Sequence, residues 1–202
     1  MDEYIRQSTF QDRATPFNET NFLIQQLLDG VQTALPVKIL AVYPDAEFTG
    51  LVDIQPLVQQ IAGDDSLIDR GVIHNVPYTR IQGGVNAIII DPVIGDIGIA
   101  VFCSRDISTV KKTKSISPPA SYRAHSFSDG LYIGGILNAT PTRFIKFTET
   151  GIEIKASDTL TINSKVVING DVLINGTLTN NAVNLTTHVH SDPQGSVTGV
   201  PQ

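Results

Sequence analysis

A period-two alternation of apolar residues in the last third of the chain constrains its fold more than any other feature. Between positions 152 and 178, ten of the fourteen even-numbered residues are apolar, whereas only two of the thirteen odd-numbered residues are. An alternation sustained for this length is typical of extended chain with one face buried. The large side chains of this apolar stripe are Ile152, Ile154, Leu160, Ile162, Val166, Ile168, Val172, Ile174 and Leu178.

The stripe is interrupted at regular intervals. Asp158, Ser164, Gly170 and Gly176 fall six residues apart and are small or favour turns. They mark the corners of a hexapeptide repeat, which is typical of β-helices and β-prisms.

The repeat segment is too short to cover its own apolar face. A single chain winding round three faces uses three repeats per coil, so the 32 residues from 152 to 183 complete fewer than two coils. Repeat architectures need several stacked units before their apolar faces are covered. We therefore expect three copies of the chain to share one prism with the stripes on a common axis. A lone edge sheet packed on the N-terminal domain is the alternative.

Two histidines continue the register of the stripe. His188 and His190 have the even parity of the stripe, so both imidazoles are predicted to point toward the same axis. Three chains would bring six imidazoles together, which suits an octahedral transition metal, with iron preferred over nickel, copper or zinc. A saturated coordination sphere leaves no position for a reacting water, so the metal would be structural. Exposed tail histidines are the alternative.

The first half of the chain has a different pattern. Apolar residues at helical spacing predict a helix over 21–30, capped by Asn18 or Thr20 and ended by Gly30. Five short strands in this half favour an OB-like barrel, although a small sandwich would have the same strand count. The strand signals lie at 37–43, 48–58, 72–81, 87–90 and 97–102, the last two joined by a turn at 91–96.

These patterns predict an all-β protein with five parts. The segment around Lys111, Lys112 and Lys114 is rich in Ser, Thr and Pro, so we expect a solvated connector with a boundary near Ser117. The predicted parts are an N-terminal arm and helix (1–35), an OB-like barrel (36–110), a connector (111–130), a trimeric β-helix shaft (131–186) and a metal-binding apex (187–202).

Charge and motifs exclude several function classes. The chain carries a formal charge of −6, which repels a phosphate backbone, so no nucleic-acid partner is expected. It has no Gly-x-Ser-x-Gly elbow, no Gly-x-Gly-x-x-Gly fingerprint and no Walker sequence. We therefore expect neither enzymatic activity nor a small-molecule substrate.

The ending Thr187-His-Val-His190, followed by Gly195, Gly199 and Pro201, and the segment from Tyr122 to Gly130 carry a resemblance. Together with the barrel and repeat pattern, they resemble the central membrane-puncturing spike proteins of contractile-tailed bacteriophages. The resemblance implies a homotrimer in the tail baseplate of the virion, assembled in the host cytoplasm. Its barrel would dock on the baseplate hub, and His188 and His190 would hold one iron ion per trimer. Sheath contraction would push its tip through the host outer membrane.

Two alternatives to this function stay open at this point. A hexapeptide-repeat acyltransferase is also a trimer, but it needs a longer coil and a groove for the acyl donor. A trimeric tail or adhesin protein without a piercing role would share the stripe and the oligomeric state.

Overall fold

The computed structural model describes residues 8–44, 50–61, 66–181, 183–185, 188–190 and 194–195. The chain divides into two compact units, Met1–Thr140 and Pro141–Gln202. Part of the strand predicted at 48–58 and most of the apex predicted at 187–202 lie outside the described residues. The first unit contains the main sheet, and the second contains the repeat segment and both histidines.

Helix α1 spans Pro16–Asp29 and begins five residues before the predicted start. Its N-cap is Thr15, whose hydroxyl accepts a hydrogen bond from the Asn18 N–H at 3.1 Å, and proline occupies the first turn. Gly30 follows the last helical residue, as predicted. Phe22 is the buried residue of α1. The apolar residues that predicted the helix are at least half exposed: Leu23, Ile24, Leu27 and Leu28.

The first unit is built mainly from antiparallel strands. They are β1 (Ala34–Tyr43), β2 (Leu51–Pro56), β3 (Gln60–Ile61), β4 (Leu67–Ile68), β5 (Ile73–Pro77), β6 (Ile81–Gly83), β7 (Asn86–Ile88), β8 (Ile97–Phe102) and β9 (Gly130–Gly135). The main sheet has the order β5-β2-β1-β8-β9, while β3 with β4 and β6 with β7 form separate hairpins. A six-residue helix, α2 (Ser108–Thr113), and a 3₁₀ turn at Phe127–Asp129 lie between β8 and β9.

The two edges of the main sheet meet. Tyr78, which follows β5, forms a parallel bridge with Tyr132 of β9, and the Thr79 N–H donates to the Tyr132 carbonyl at 2.9 Å. Both tyrosine rings are buried. The sheet therefore curves into a half-barrel, which agrees with the predicted all-β class and is compatible with an OB-like barrel.

The core lies on the inner face of this curved sheet. Alternate residues of each strand point inward, so the buried set follows a period of two. Its members are Val37, Ile39, Val52, Ile54, Ile73, Val76, Tyr78, Ala100, Phe102 and Tyr132. Burying each large aliphatic side chain in this set contributes about 1.5–3 kcal/mol to folding.

Strand β9 differs from the predicted domain boundaries. Position 130 was assigned to the connector and 131–135 to the shaft, but these residues pair with β8, with Val101 opposite Leu131 and Phe102 opposite Gly130. A loop of 27 residues, 103–129, separates the two strands in sequence. The boundary falls after β9 because β9 pairs with β8. The sequence prediction missed this because local patterns do not reveal pairing across so long a connection.

The predicted pairing of 87–90 with 97–102 is also wrong. Strand β7 pairs instead with β6, with Ile81 opposite Ile88, and β8 lies between β1 and β9. Gly84, in the two-residue loop between β6 and β7, has a φ of +58°. A left-handed residue at this position suits a tight hairpin loop, so β7 pairs with β6, its neighbour in the sequence.

The second unit has short strands at both ends of the repeat segment. Its strands are β10 (Phe144–Thr148), β11 (Gly151–Lys155), β12 (Thr179–Asn180) and β13 (Val183–Asn184), which form two hairpins. Every residue from 156 to 178 is described, and this segment forms no strand pair with any other described residue. Among the helices described here, none has the length and apolar character needed to cross a bilayer.

Candidate functional site

The predicted connector is attached to the barrel by a buried ion pair. Arg123 donates two hydrogen bonds to Asp129, from Nε to Oδ2 at 2.8 Å and from Nη2 to Oδ1 at 3.0 Å. The Asp129 side chain is fully buried and also accepts the Ile107 N–H at 3.1 Å. Such two-pronged charged hydrogen bonds fix geometry strongly. This part of the connector is therefore ordered against the barrel, in contrast to the solvated linker that its composition predicts.

Asp106 extends the same network. One carboxylate oxygen lies 3.1 Å from Arg123 Nη2, and the other accepts the Ser121 hydroxyl at 2.7 Å. Hydrogen bonding by the Ser108 side chain, followed by that of Ser121, lowers the pKa of Asp106 to about 2. The carboxylate is therefore ionised throughout the physiological range and holds the start of α2.

A second polar cluster joins β1, β2 and β5. His74 Nδ1 lies 2.7 Å from Asp53 Oδ2, the Asn75 N–H donates to Asp53 Oδ1 at 3.0 Å, and the Tyr43 hydroxyl donates to Oδ2 at 3.0 Å. Burial raises the pKa of Asp53, but these hydrogen bonds outweigh burial and leave the pKa below its ordinary value. An ionised, mostly buried Asp53 thus orients the His74 ring, whose side chain is 62% exposed.

The apolar stripe lies uncovered in the single chain. Its nine large side chains are 44–62% exposed. The two apolar residues of opposite parity, Val167 and Leu173, are exposed to 69% and 85%. The stripe is therefore an aliphatic surface that no described part of its own chain buries.

The hairpin β10–β11 extends this apolar surface at its N-terminal end. Ile145 lies opposite Ile154, and Phe147 lies opposite Ile152, so all four side chains share one face. Ile145 is 65% exposed and Phe147 is 76% exposed. The predicted stripe begins at position 152 and does not include Ile145 and Phe147. The alternation of apolar residues at 145 and 147 was the available signal, but the turn between the strands changes its parity from odd to even.

The structure brings the two predicted metal-ligating histidines together. The ring centroids of His188 and His190 lie 4.9 Å apart with an interplanar angle of 83°. His188 Nδ1 lies 3.0 Å from the Leu185 carbonyl oxygen, which can only accept. The Nδ1 atom therefore carries the proton, and Nε2 of His188 retains a lone pair that can bind a metal.

This donor set has a defined chemical preference. Imidazole nitrogens suit iron, nickel, copper and zinc, whereas magnesium and calcium prefer oxygen ligands. Two adjacent imidazoles thus fit a transition metal. Within the described residues, no group of three or more His, Cys, Asp or Glu side chains is placed to hold a metal ion.

The polar networks of the first unit were not predicted from the sequence. Arg123 and Asp129 both fall in the segment from 122 to 130 that carries part of the family resemblance, and this was the only signal for them. Asp53 and His74 are separated by 21 residues, and only the antiparallel pairing of β2 with β5 brings them together.

Comparison with known proteins identifies the first unit. Residues 35–135, half of the 202-residue chain, match the family model described as the phage protein Gp138 N-terminal domain. The match begins in β1 and ends at the last residue of β9, so it spans the main sheet. No curated protein matches the chain. The chain therefore belongs to the family of phage proteins that carry the Gp138 N-terminal domain.

Proposed function

We propose that this phage protein is the central spike of a contractile tail, a homotrimer that sheath contraction pushes through the host outer membrane. The observation that carries the proposal is the apolar stripe, whose side chains are exposed in the single chain. The stripe ends at Leu178, and the short strands β12 and β13 separate it from the adjacent imidazoles of His188 and His190. The role is structural, and no catalytic step or small-molecule substrate is proposed.

The stripe supports a shared core. Covering nine half-exposed aliphatic side chains would contribute on the order of 10 kcal/mol per chain before the entropic cost of association. Ile145 and Phe147 would enlarge this core. The hexapeptide corners allow three such stripes to face one axis in a triangular β-prism.

The backbone of the repeat segment supports the same arrangement. Residues 156–177 form no strand pair with any other described residue, so their N–H and C=O groups have no ladder partner among those residues. Backbone groups next to a buried apolar face require hydrogen-bond partners. Neighbouring copies of the same segment would supply these partners and the apolar contacts together.

The proposed apex uses His188 and His190 from each of three chains. Six imidazoles would surround one iron ion, which when bound supplies a cross-link between the chains. The Leu185 carbonyl fixes the proton of His188 on Nδ1 and leaves Nε2 for the ion. A cross-linked end resists fraying when the shaft is compressed from behind.

The barrel is the proposed attachment to the virion. In the resembling spike proteins the barrel docks on the baseplate hub, and we propose the same partner for the first unit of this chain. The protein would then be assembled in the host cytoplasm and reside in the tail baseplate, where it meets the outer membrane only during injection.

Elemental analysis of the purified full chain, combined with its sedimentation, tests this proposal. We expect a trimer with about one iron per three chains, and we expect H188A/H190A to lose the iron while remaining trimeric. The trimer should persist because the stripe, rather than the ion, provides most of the buried area.

Three other results would contradict the spike. A metal-free trimer would favour a trimeric tail or adhesin protein without a piercing role. A metal-free trimer that transfers acetyl groups to amines would favour the acyltransferase. A monomer would contradict all three trimeric functions.

A further inference from the structure

The first unit contains a recess beside the lysine-rich segment. Strand β5, helix α2 and the 3₁₀ turn Phe127–Asp129 line an open surface depression of about 500 Å³, which we name the α2 recess. Its cationic and titratable lining residues are Lys111, Lys112 and His74. Aliphatic side chains of Val72 and Ile73 also line it. The recess thus combines an apolar wall with a basic side.

The two lysines place positive charge on an acidic protein. The chain carries a formal charge of −6. In the described part of the chain, neither Lys111 nor Lys112 forms a salt bridge. The carboxylates of Asp106 and Asp129 on the adjoining loop are already bound by Arg123. The lysine ammonium groups are therefore available to an external anion.

His74 adds a third, oriented polar group. Its Nδ1 atom is held by Asp53 at 2.7 Å, so Nε2 is the ring nitrogen left for a ligand. Asp53 is itself fixed by the Asn75 N–H and the Tyr43 hydroxyl.

The position of the recess in the sheet also suits ligand binding. β2 and β5 are the second and third strands of the main sheet along the chain, and α2 lies in the loop between its fourth and fifth strands. OB folds bind ligands on the face of strands two and three and with the loop between strands four and five. The α2 recess is lined by residues of the third strand, β5, and of the loop between the fourth and fifth strands, so it corresponds to part of that position.

The lining favours a peptide over a nucleic acid. Single-stranded nucleic acids stack their bases on accessible aromatic faces. The one phenyl ring among the described lining residues, that of Phe127, has Phe102 against it at 5.0 Å and 89°, and the Arg70 guanidinium lies over it at 5.5 Å. Carboxylates would match the lysines, and an aliphatic side chain would match Val72 and Ile73.

We propose that the α2 recess binds a carboxylate-rich segment of a partner protein that also carries an aliphatic side chain, with Lys111, Lys112 and His74 as its contacts. This proposal deepens the docking of the barrel on a baseplate hub and rests on that proposed function for the identity of the partner. The lysines that would bind the partner, Lys111 and Lys112, lie in the segment whose composition alone predicts a solvated linker.

Fluorescence anisotropy with the full chain at low ionic strength tests this binding. The probe is a fluorescein-labelled peptide of sequence Asp-Glu-Leu-Glu-Asp. We expect K111E/K112E to weaken its binding at least about tenfold, and the neutral K111Q/K112Q to weaken it less. K146E/K165E makes the same change in net charge at exposed lysines of the second unit and should stay within about twofold of the wild type.

Four outcomes would overturn the inference. They are an equal loss in both Glu double variants, unchanged binding by K111E/K112E, equal binding of the uncharged peptide Asn-Gln-Leu-Gln-Asn, and displacement of the acidic peptide by oligothymidylate at matched charge. Circular dichroism of each variant checks that the fold is kept.

The test is separate from that of the spike. A metal-free monomer that binds the acidic peptide through Lys111 and Lys112 contradicts the spike and supports the recess. An iron-containing trimer that does not bind the peptide overturns the recess alone.

Discussion

At the residue scale, Arg123 is the group on which the attachment of the connector depends most. Its guanidinium contacts the carboxylate of Asp129, which is fully buried, and that of Asp106, which is 5% exposed. A buried carboxylate is costly without a cationic partner, because it has lost its hydration. Arg123 itself is 36% exposed, so its own charge is partly hydrated.

Replacing Arg123 by Ala should destabilise the first unit by about 2–3 kcal/mol. This is less than the usual 3–5 kcal/mol for breaking a buried pair, because the guanidinium is partly in solvent. Urea unfolding of the full chain, monitored by far-ultraviolet circular dichroism, measures the change. The double variant R123M/D129L removes both charges, so its free energy of unfolding should fall less than that of R123A. A stability of R123A equal to the wild type would contradict the role given to the pair.

The low pKa of Asp106 predicts that the stability of the first unit falls in acid. Its folded-state pKa of about 2 lies below the ordinary value of 3.8, so its stabilising contribution is complete above about pH 4 and is lost as the pH falls toward 2. Melting temperatures at pH 5 and pH 2.5 should therefore differ less for D106N than for the wild type. The variant should also melt lower than the wild type at pH 5. Equal acid sensitivity of the two proteins would contradict the assignment.

At the element scale, the sequence could predict features that depend on neighbouring residues, such as alternation along a strand. It could not predict pairing between strands that lie far apart in the sequence. The even parity of the stripe and of the two histidines is a local signal, and the rings of His188 and His190 lie 4.9 Å apart. The hairpin β12–β13 pairs Asn180 with Val183, which reverses the parity between the stripe and the histidines, so a common axis for the stripe and the imidazoles stays a prediction. The helix α1 was also located by local spacing, although its apolar face is exposed. Strand β9 was not located, because its partner β8 lies across the 27-residue loop.

Ile168 and Val167 form a matched pair for testing the stripe. They are neighbours of opposite parity, and in the single chain they are exposed to 61% and 69%. In an isolated chain, a carboxylate at position 167 and one at position 168 should therefore change the free energy of unfolding by similar amounts. In a shared prism, I168D would place three carboxylates at the axis and should prevent trimerisation, whereas V167D should remain trimeric. Equal behaviour of the two variants in sedimentation would show that the register is wrong.

Truncation tests the boundary that β9 establishes. The sequence predicts a barrel that ends at 110 and a connector over 111–130, so a fragment ending at Ser117 should keep the whole barrel, but such a fragment lacks Tyr132 and the Arg123–Asp129 pair. We expect residues 1–140 to be soluble and to unfold cooperatively. We expect residues 1–117 to aggregate, because β8 loses β9 and becomes an uncovered edge strand. Thermal unfolding and light scattering of both fragments provide the comparison. A fragment 1–117 that melts as cooperatively as 1–140 would contradict this boundary.

At the scale of the whole molecule, the two units differ in how they bury apolar surface. The first unit has a core of ten residues inside its own half-barrel, so strand patterns and the family match both describe it. The second unit leaves its stripe exposed. The alternation that defines the stripe is local and can be read from the sequence, but the number of copies that share the stripe depends on contacts between chains. For this reason the trimer is a proposal and the half-barrel is a finding.

Sedimentation equilibrium of the full chain in dilute buffer tests the central claim most directly. A shared stripe predicts a single species of three times the 21.8 kDa chain mass, unchanged over a wide dilution range. A species of 21.8 kDa that remains soluble and folded would contradict the shared core, and with it the six-imidazole apex and the piercing role.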